Sequence, residues 1–247
     1  MLQSLAGFDP RDPASVNCHI PDYRKDIAES VQGIRIGVVR HFFETDASAT
    51  PDVRRAVDDA IRVFGDLGAS VRDVVLASLQ EWNACGMVIL LAEGYAVHEE
   101  WLRTRFADYG ERMRDNVAMG AFLTAADYVQ AVRRRRELCI AMADAMADID
   151  ILLSAGANSE APLMHEVDKW DVFRTPLPTI PFNVTGYPAL ALCAGYGSLE
   201  LPVALHLAAR PFEEPLLLRV GHNYERATGW RVRRPSIARN NDRPVEH

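Results

Sequence analysis

The sequence predicts an α/β fold in which a mixed sheet lies between helical layers, and three observations carry that prediction. A strand, helix, strand pattern spans residues 33–76 and reads as a βαβ unit, whose two strands are expected to be parallel with a right-handed crossover. Two apolar runs at residues 188–196 and 201–209 flank the turn sequence Gly197-Ser198-Leu199-Glu200, which predicts an antiparallel hairpin. Between these patterns, residues 79–148 repeat their apolar positions at helical spacing. Parallel and antiparallel strands in one chain require a mixed sheet, and the intervening helices supply its covering layers.

Each element has a local cause. Residues 33–39, GIRIGVV, form a short β-branched run. The following helix is predicted over residues 50–69. Thr50 stands at its cap, Pro51 suits its first turn, and Val53, Val57, Ala60, Ile61, Phe64 and Leu67 share one face before Gly68 ends it. A second β run, SVRDVVL, occupies residues 70–76. The helical region breaks near residues 108–110 and 120–124, and Thr124 with Asp127 marks a fresh helix start. The basic run Arg133 to Arg136 sits among acidic residues and is expected to be a solvated helix face. Residues 149–155, IDILLSA, are short, apolar and ended by Gly156, as a buried strand would be. Residues 158–179 hold Pro162, Pro176 and Pro178 without periodicity and predict a long loop of the kind that serves a site or an interface. After the hairpin, Glu213, Glu214 and Pro215 open a last helix that Gly229 closes.

Composition narrows the function. With 247 residues, 49% hydrophobic and 25% charged, the chain can bury one sizeable core. A net charge of -7 argues against a nucleic-acid surface. No apolar run is long enough for a membrane helix and no signal-peptide pattern opens the chain, so a soluble cytoplasmic protein with no membrane partner is expected. Cys18, Cys85, Cys139 and Cys193 lack metal or disulfide spacing and are expected to be buried free thiols. His98, in HEEW, lacks the second histidine of a zinc-protease helix, and no metal or cofactor is expected. A Cys193–His206 pair would need an orienting acid or amide that the pattern does not indicate. The joint after residue 39 carries no glycine-rich phosphate loop.

The stretch from residue 181 to residue 230 resembles the C-terminal region of the amidase signature family. The resemblance rests on Asn183, Thr185, Gly186, Pro188 and Ala189; on Gly195 and Tyr196; on Leu201, Pro202 and Leu205; on Arg210, Pro211, Phe212 and Glu214; and on Tyr224, Glu225, Ala227, Thr228 and Trp230. AGFDPRDP at residues 6–13 and the strand-like runs extend it over roughly residues 5–235. It implies an α/β/α fold and hydrolysis of an amide C–N bond, with residues 1–235 as the C-terminal portion of a single amidase domain and 236–247 as a polar tail. Two positions depart from the family pattern. Ser154-Ala155-Gly156 replaces a common Thr-Pro pair, and Leu192-Cys193 replaces a proline, both where the substrate mouth is shaped.

The same family uses a lysine, a serine in a cis peptide and a nucleophilic serine in a Gly/Ser-rich segment. A serine hydroxyl needs an adjacent base, and its tetrahedral intermediate needs convergent backbone N–H groups. Here the ten serines include no adjacent pair, and Lys25 and Lys169 both stand in polar surroundings. No catalytic residue is therefore assigned, and the catalytic half is expected to precede residue 1. Asn183, Thr185 and Gly186 are expected to form one wall of the substrate pocket, although Asn183 and Thr185 also suit turn stabilisation. The expected partners are a small-molecule amide once the chain is complemented, and an N-terminal amidase half or a second copy. The alternative is a non-catalytic fragment or subunit that binds a complementing chain.

Overall fold

The computed structural model describes residues 1–234, so the expected tail at 236–247 lies outside the described residues. In chain order the elements are α1 (Leu2–Leu5), β1 (Arg35–Val38), α2 (Pro51–Asp66), β2 (Ser70–Asp73), α3 (Leu79–Thr104), α4 (Glu111–Ala118), α5 (Ala125–Ala145), β3 (Ile151–Ala155), α6 (Asp171–Arg174), α7 (Ile180–Thr185), β4 (Ala189–Tyr196), β5 (Pro202–Ala209) and α8 (Glu214–Thr228). Short helical turns join several of them.

The β1-α2-β2 unit forms as its pattern dictates, with β1 and β2 parallel and Arg35 level with Ser70. Pro51 opens α2, and Gly68 at φ 88° turns the chain out of it. Thr50 occupies the cap position, but its hydroxyl makes no capping bond. Strand β3 pairs parallel with β1 and antiparallel with β5, and β4 pairs antiparallel with β5. The order β2-β1-β3-β5-β4 is thus a mixed five-stranded sheet.

Side-chain alternation along the strands splits the interior into two layers. Ile36, Val38, Ile151, Leu153, Leu205 and Leu207 face α2 and α8, where they meet Val53, Val57, Phe64, Val220 and Tyr224. On the other face Leu152 and Ala208 meet Trp82 of α3, Leu138 and Met142 of α5, and Ile180, Phe182 and Val184 of α7. The helix α5 begins with the expected box: Thr124 Oγ1 accepts from Asp127 N at 3.2 Å while Asp127 Oδ2 accepts from Thr124 N at 2.8 Å. Pro215 and Gly229, the latter at φ 68°, bound α8.

Two local expectations are revised, and one short helix stands where none was predicted. Residues 158–179 are not uniformly loop, because α6 and a one-turn helix at Met164–Glu166 interrupt them. Residues 180–185 form a helix, since Pro181 sits in its first turn and Gly186 at φ 77° supplies the left-handed residue that ends it. Cys18 is exposed; Cys85 is buried and donates its thiol to Ala131 O at 3.3 Å.

Candidate functional site

The sequence singles out Asn183, Thr185 and Gly186, and α7 carries all three to the same helix end. Thr185 Oγ1 donates to Pro181 O at 2.9 Å, so that hydroxyl serves its own helix. Gly186 provides the αL cap, with no atom within 4 Å of where a Cβ would stand. Of the three, Asn183 alone lines a cavity of about 290 Å³ formed by α3, α5, α7 and the segment before α7. Gly86, Ile180 and Val184 are buried and form the floor; Leu90, Glu93, Arg135, Leu177 and Asn183 are exposed and form the rim. Gly86 is required by this approach: a Cβ there would lie 3.0 Å from side-chain carbons of both Ile180 and Val184.

Two long-range contacts hold α7 in place. Arg135 Nε donates to Val184 O at 2.7 Å, satisfying a carbonyl that the helix end leaves free. Asn83, buried in α3, donates to Leu177 O at 3.3 Å and accepts from Leu177 N at 2.9 Å, which anchors the chain entering α7. Arg135 is therefore more than part of a solvated face, and Asn83 has no sequence signal beyond its polarity among apolar neighbours. Glu93 accepts from Tyr128 Oη at 2.8 Å across the rim. The long loop serves the cavity, because Val172 and Leu177 complete its wall.

Neither lysine resembles a catalytic base. Lys169 Nζ donates to Glu111 and Asp115, each at 2.6 Å, and the bonds to Asp115 and then Glu111 raise its pKa above the ordinary value. A general base needs the opposite shift. Lys25 is exposed. Ser154 and His206 face each other across β3 and β5, on the α7 side of the sheet. Ser154 Oγ and His206 Nδ1 are both buried without a hydrogen-bond partner among the described residues. Burial lowers the His206 pKa to about 4, and the Phe182 ring packs edge-on against the imidazole at 4.9 Å. Cys193 pairs with Ala204 rather than with His206, two residues further along the strand, so the two do not form a directly opposed pair. The Cys193 thiol donates instead to Gly195 O at 3.4 Å. Among the described residues no cluster of histidine, cysteine or carboxylate side chains has the makings of a metal site, and no helix is long and apolar enough to cross a membrane.

The Amidase family profile matches residues 1–218. The chain belongs to the amidase family. Among curated relatives, this amidase-family chain is 31% identical over 264 residues to the A subunit of glutamyl-tRNA(Gln) amidotransferase from Synechococcus sp. (strain CC9311), covering 96% of this chain and 54% of that one. The same amidotransferase component from Desulfatibacillum aliphaticivorans is 29% identical over 270 residues, with the same two coverages. The chain thus spans about half the length of the curated relatives it matches. A solved structure described as an unexpected vestigial protein complex that reveals the origins of an s-triazine catabolic enzyme superposes with a TM-score of 0.81 at 27% identity, covering 92% of this chain and 50% of that one. A 6-aminohexanoate cyclic dimer hydrolase superposes with a TM-score of 0.79 at 22% identity, covering 96% and 54%, and supports the α/β fold alone. The expected family and fold class stand.

Proposed function

We propose that this chain is the substrate-facing C-terminal part of an amide C–N hydrolase, and that the attacking serine and its base come from a complementing amidase segment. The observation that carries this reading is the state of the lysines and serines. Lys169 is held as a cation by two carboxylates, Lys25 is exposed, and the one serine buried in the sheet, Ser154, has no hydrogen-bonded base to activate it among the described residues. Together with membership of the amidase family, this separates scaffold from chemistry. The cavity beneath Asn183 is the site where substrate would lie, and Thr185 and Gly186 bear on it only by ending the helix that carries Asn183.

The free edge of β4 is the docking place this reading implies. The β2 edge is four residues long and carries Arg72 and Asp73, which discourage further pairing. The β4 edge is eight residues long and uncharged, and Ala189 and Ala191 lie exposed on the α7 side. On the neighbouring strand His206 is level with Ala191, and Ser154 lies one strand further in; both side chains are buried.

The experiment is to express this chain with and without an amidase segment carrying the Gly/Ser-rich sequence and to measure amide hydrolysis. Activity only on mixing is expected. Hydrolysis by the purified chain alone would overturn the reading, and inactivity in every combination despite complex formation would favour a non-catalytic binding role.

A further inference from the structure

We propose that, where no complementing segment lies on it, the β4 edge takes a second copy of this chain, with the two β4 strands antiparallel about a two-fold axis at Ala191. The inference concerns the same strip of sheet as the functional reading and holds whether or not the complemented chain hydrolyses an amide. The phase of the β4–β5 ladder decides which backbone groups are free. Ala209 N donates to Pro188 O at 3.1 Å, and beyond the bulge Gly197 N donates to Leu201 O at 3.0 Å. Opposed residues of an antiparallel ladder alternate between bonded and unbonded pairs. Leu190 with Leu207 and Leu192 with Leu205 are therefore bonded pairs, and Ala189, Ala191 and Cys193 turn their N–H and C=O groups away from β5. None of these outward groups meets another partner among the described residues. The row stops at both ends, at Pro188, which has no N–H, and at the bulge between Cys193 and Gly195.

This free row is self-complementary. Residues 189–193 read Ala-Leu-Ala-Leu-Cys, the same in either direction except for the sulfur at one end. With Ala191 opposite Ala191 of the copy, Ala189 stands opposite Cys193 on both sides of the axis. Every outward N–H and C=O of the three residues then finds a mate, six bonds in all. Any other register that keeps the side chains on their own faces leaves at least one of the three unmatched. On the α7 side only alanines and the Cys193 thiol meet, so the backbones can close. On the α2 and α8 side Leu190 meets Leu192 of the copy at an unbonded pair, where strands hold opposed side chains closest. Both leucines are half-buried in the single chain, so pairing removes apolar area from water. Residues 188–196 carry no charge, and nothing along the edge repels an identical strand. The four-residue β2 edge, with Arg72 and Asp73, has no such match.

Sedimentation velocity of the purified chain over about 1–200 µM tests the pairing, and a strip of this size predicts a reversible dimer with a Kd of about 1–100 µM. Ala191→Pro is the decisive variant. It removes an outward N–H that β5 does not use, so circular dichroism and thermal unfolding should show the fold retained while the dimer Kd rises at least about tenfold. Ala191→Lys, which leaves the backbone unaltered, should weaken the dimer in the same way and serves if the proline variant unfolds. Register is read separately by mild oxidation in a Cys18→Ser background. Ala191→Cys should form a disulfide with its own counterpart, because bonded pairs hold their Cα atoms about 5.5 Å apart, within disulfide range. Ala189→Cys should link to the native Cys193 of the copy. A chain that stays monomeric to about 200 µM would overturn the proposal, as would a dimer left intact by both substitutions at Ala191 or disulfides joining other positions. Because no turnover is read, a monomeric result leaves the functional reading standing, and failed complementation leaves the dimer standing.

Discussion

Acidification should weaken the fold in a window set by His206. The imidazole is 7% exposed, packs on Phe182 and has no partner for Nδ1 among the described residues. Its pKa falls from 6.5 to about 4 because burial opposes the charged form. The unfolded chain therefore binds a proton near pH 6.5 that the folded chain refuses until about pH 4. Stability is full above pH 6.5, declines as the pH drops below it, and levels off once His206 also protonates in the fold. The gap corresponds to roughly 3 kcal/mol at most, a large share of a typical domain's stability. Urea unfolding by circular dichroism at several pH values, for the native chain and for His206→Gln, measures it. The native curve should lose up to about 3 kcal/mol between about pH 7 and pH 4, and His206→Gln should flatten that part of the curve. Identical pH dependence in both proteins would refute the argument, since a titration elsewhere would then be responsible.

A second acid window lies lower. Asp150 accepts from Arg35 N, Nε and Nη2 at 2.9, 3.0 and 2.7 Å, and these bonds lower its pKa from 3.8 to about 2. Its stabilisation is present above pH 3.8 and lost as the pH falls through about 2, so Asp150→Asn should cost on the order of 1–2 kcal/mol at about pH 7 and little at pH 2, measured by the same urea curves. Gly120→Ala should destabilise by about 1–3 kcal/mol or more in thermal unfolding, because the new Cβ would fall 2.2 Å from Leu91 O and 2.5 Å from Tyr95 Cβ. Gly186→Ala meets no atom and should cost only about 1 kcal/mol, the strain of a left-handed residue. A fluorophosphonate probe should leave the purified chain unlabelled, and mass spectrometry finding one defined modified serine would contradict the assignment of scaffold without nucleophile.

Most of the framework is legible in the sequence because its causes are local. Proline at a helix start, glycine at a helix end, the Thr124–Asp127 box and the β-branched runs act within a few residues, and the structure retains each of them. The short helix α7 escapes a pattern-based reading for a related reason. Its proline suits loop punctuation and a helix start equally, and six residues are too few to display a periodicity. The site is less legible. Asn183 joins Arg135 and Glu93 only after α7 lands between α3 and α5, and that landing depends on bonds such as Asn83 to Leu177, 94 positions apart. Arg135 stands in a run of four arginines whose members differ in role: Arg134 pairs with Glu81 and Glu137, while Arg135 turns to the α7 carbonyl. Nothing in the run itself distinguishes them.

The β4 edge of the sheet is built differently from its β2 edge. Strand β5 is covered on both faces and carries an almost continuous buried run from Val203 to Ala209. Strand β4 packs its inner face on α8 and α2, with Leu190, Leu192 and Ala194 turned inward and alanines at 189 and 191 turned out. A strand made for solvent on that face would carry polar or charged residues there, as β2 does with Ser70 and Arg72 at the opposite edge. Small apolar residues instead suit close approach by another backbone. An edge free of charge and a face of alanines thus coincide on one strip of the molecule. Introducing a charge at Ala191 should therefore leave the stability of the isolated chain within about 0.5 kcal/mol, as expected for an exposed position, while abolishing assembly with a complementing segment in size-exclusion chromatography. Assembly that survives Ala191→Lys would place the partner elsewhere.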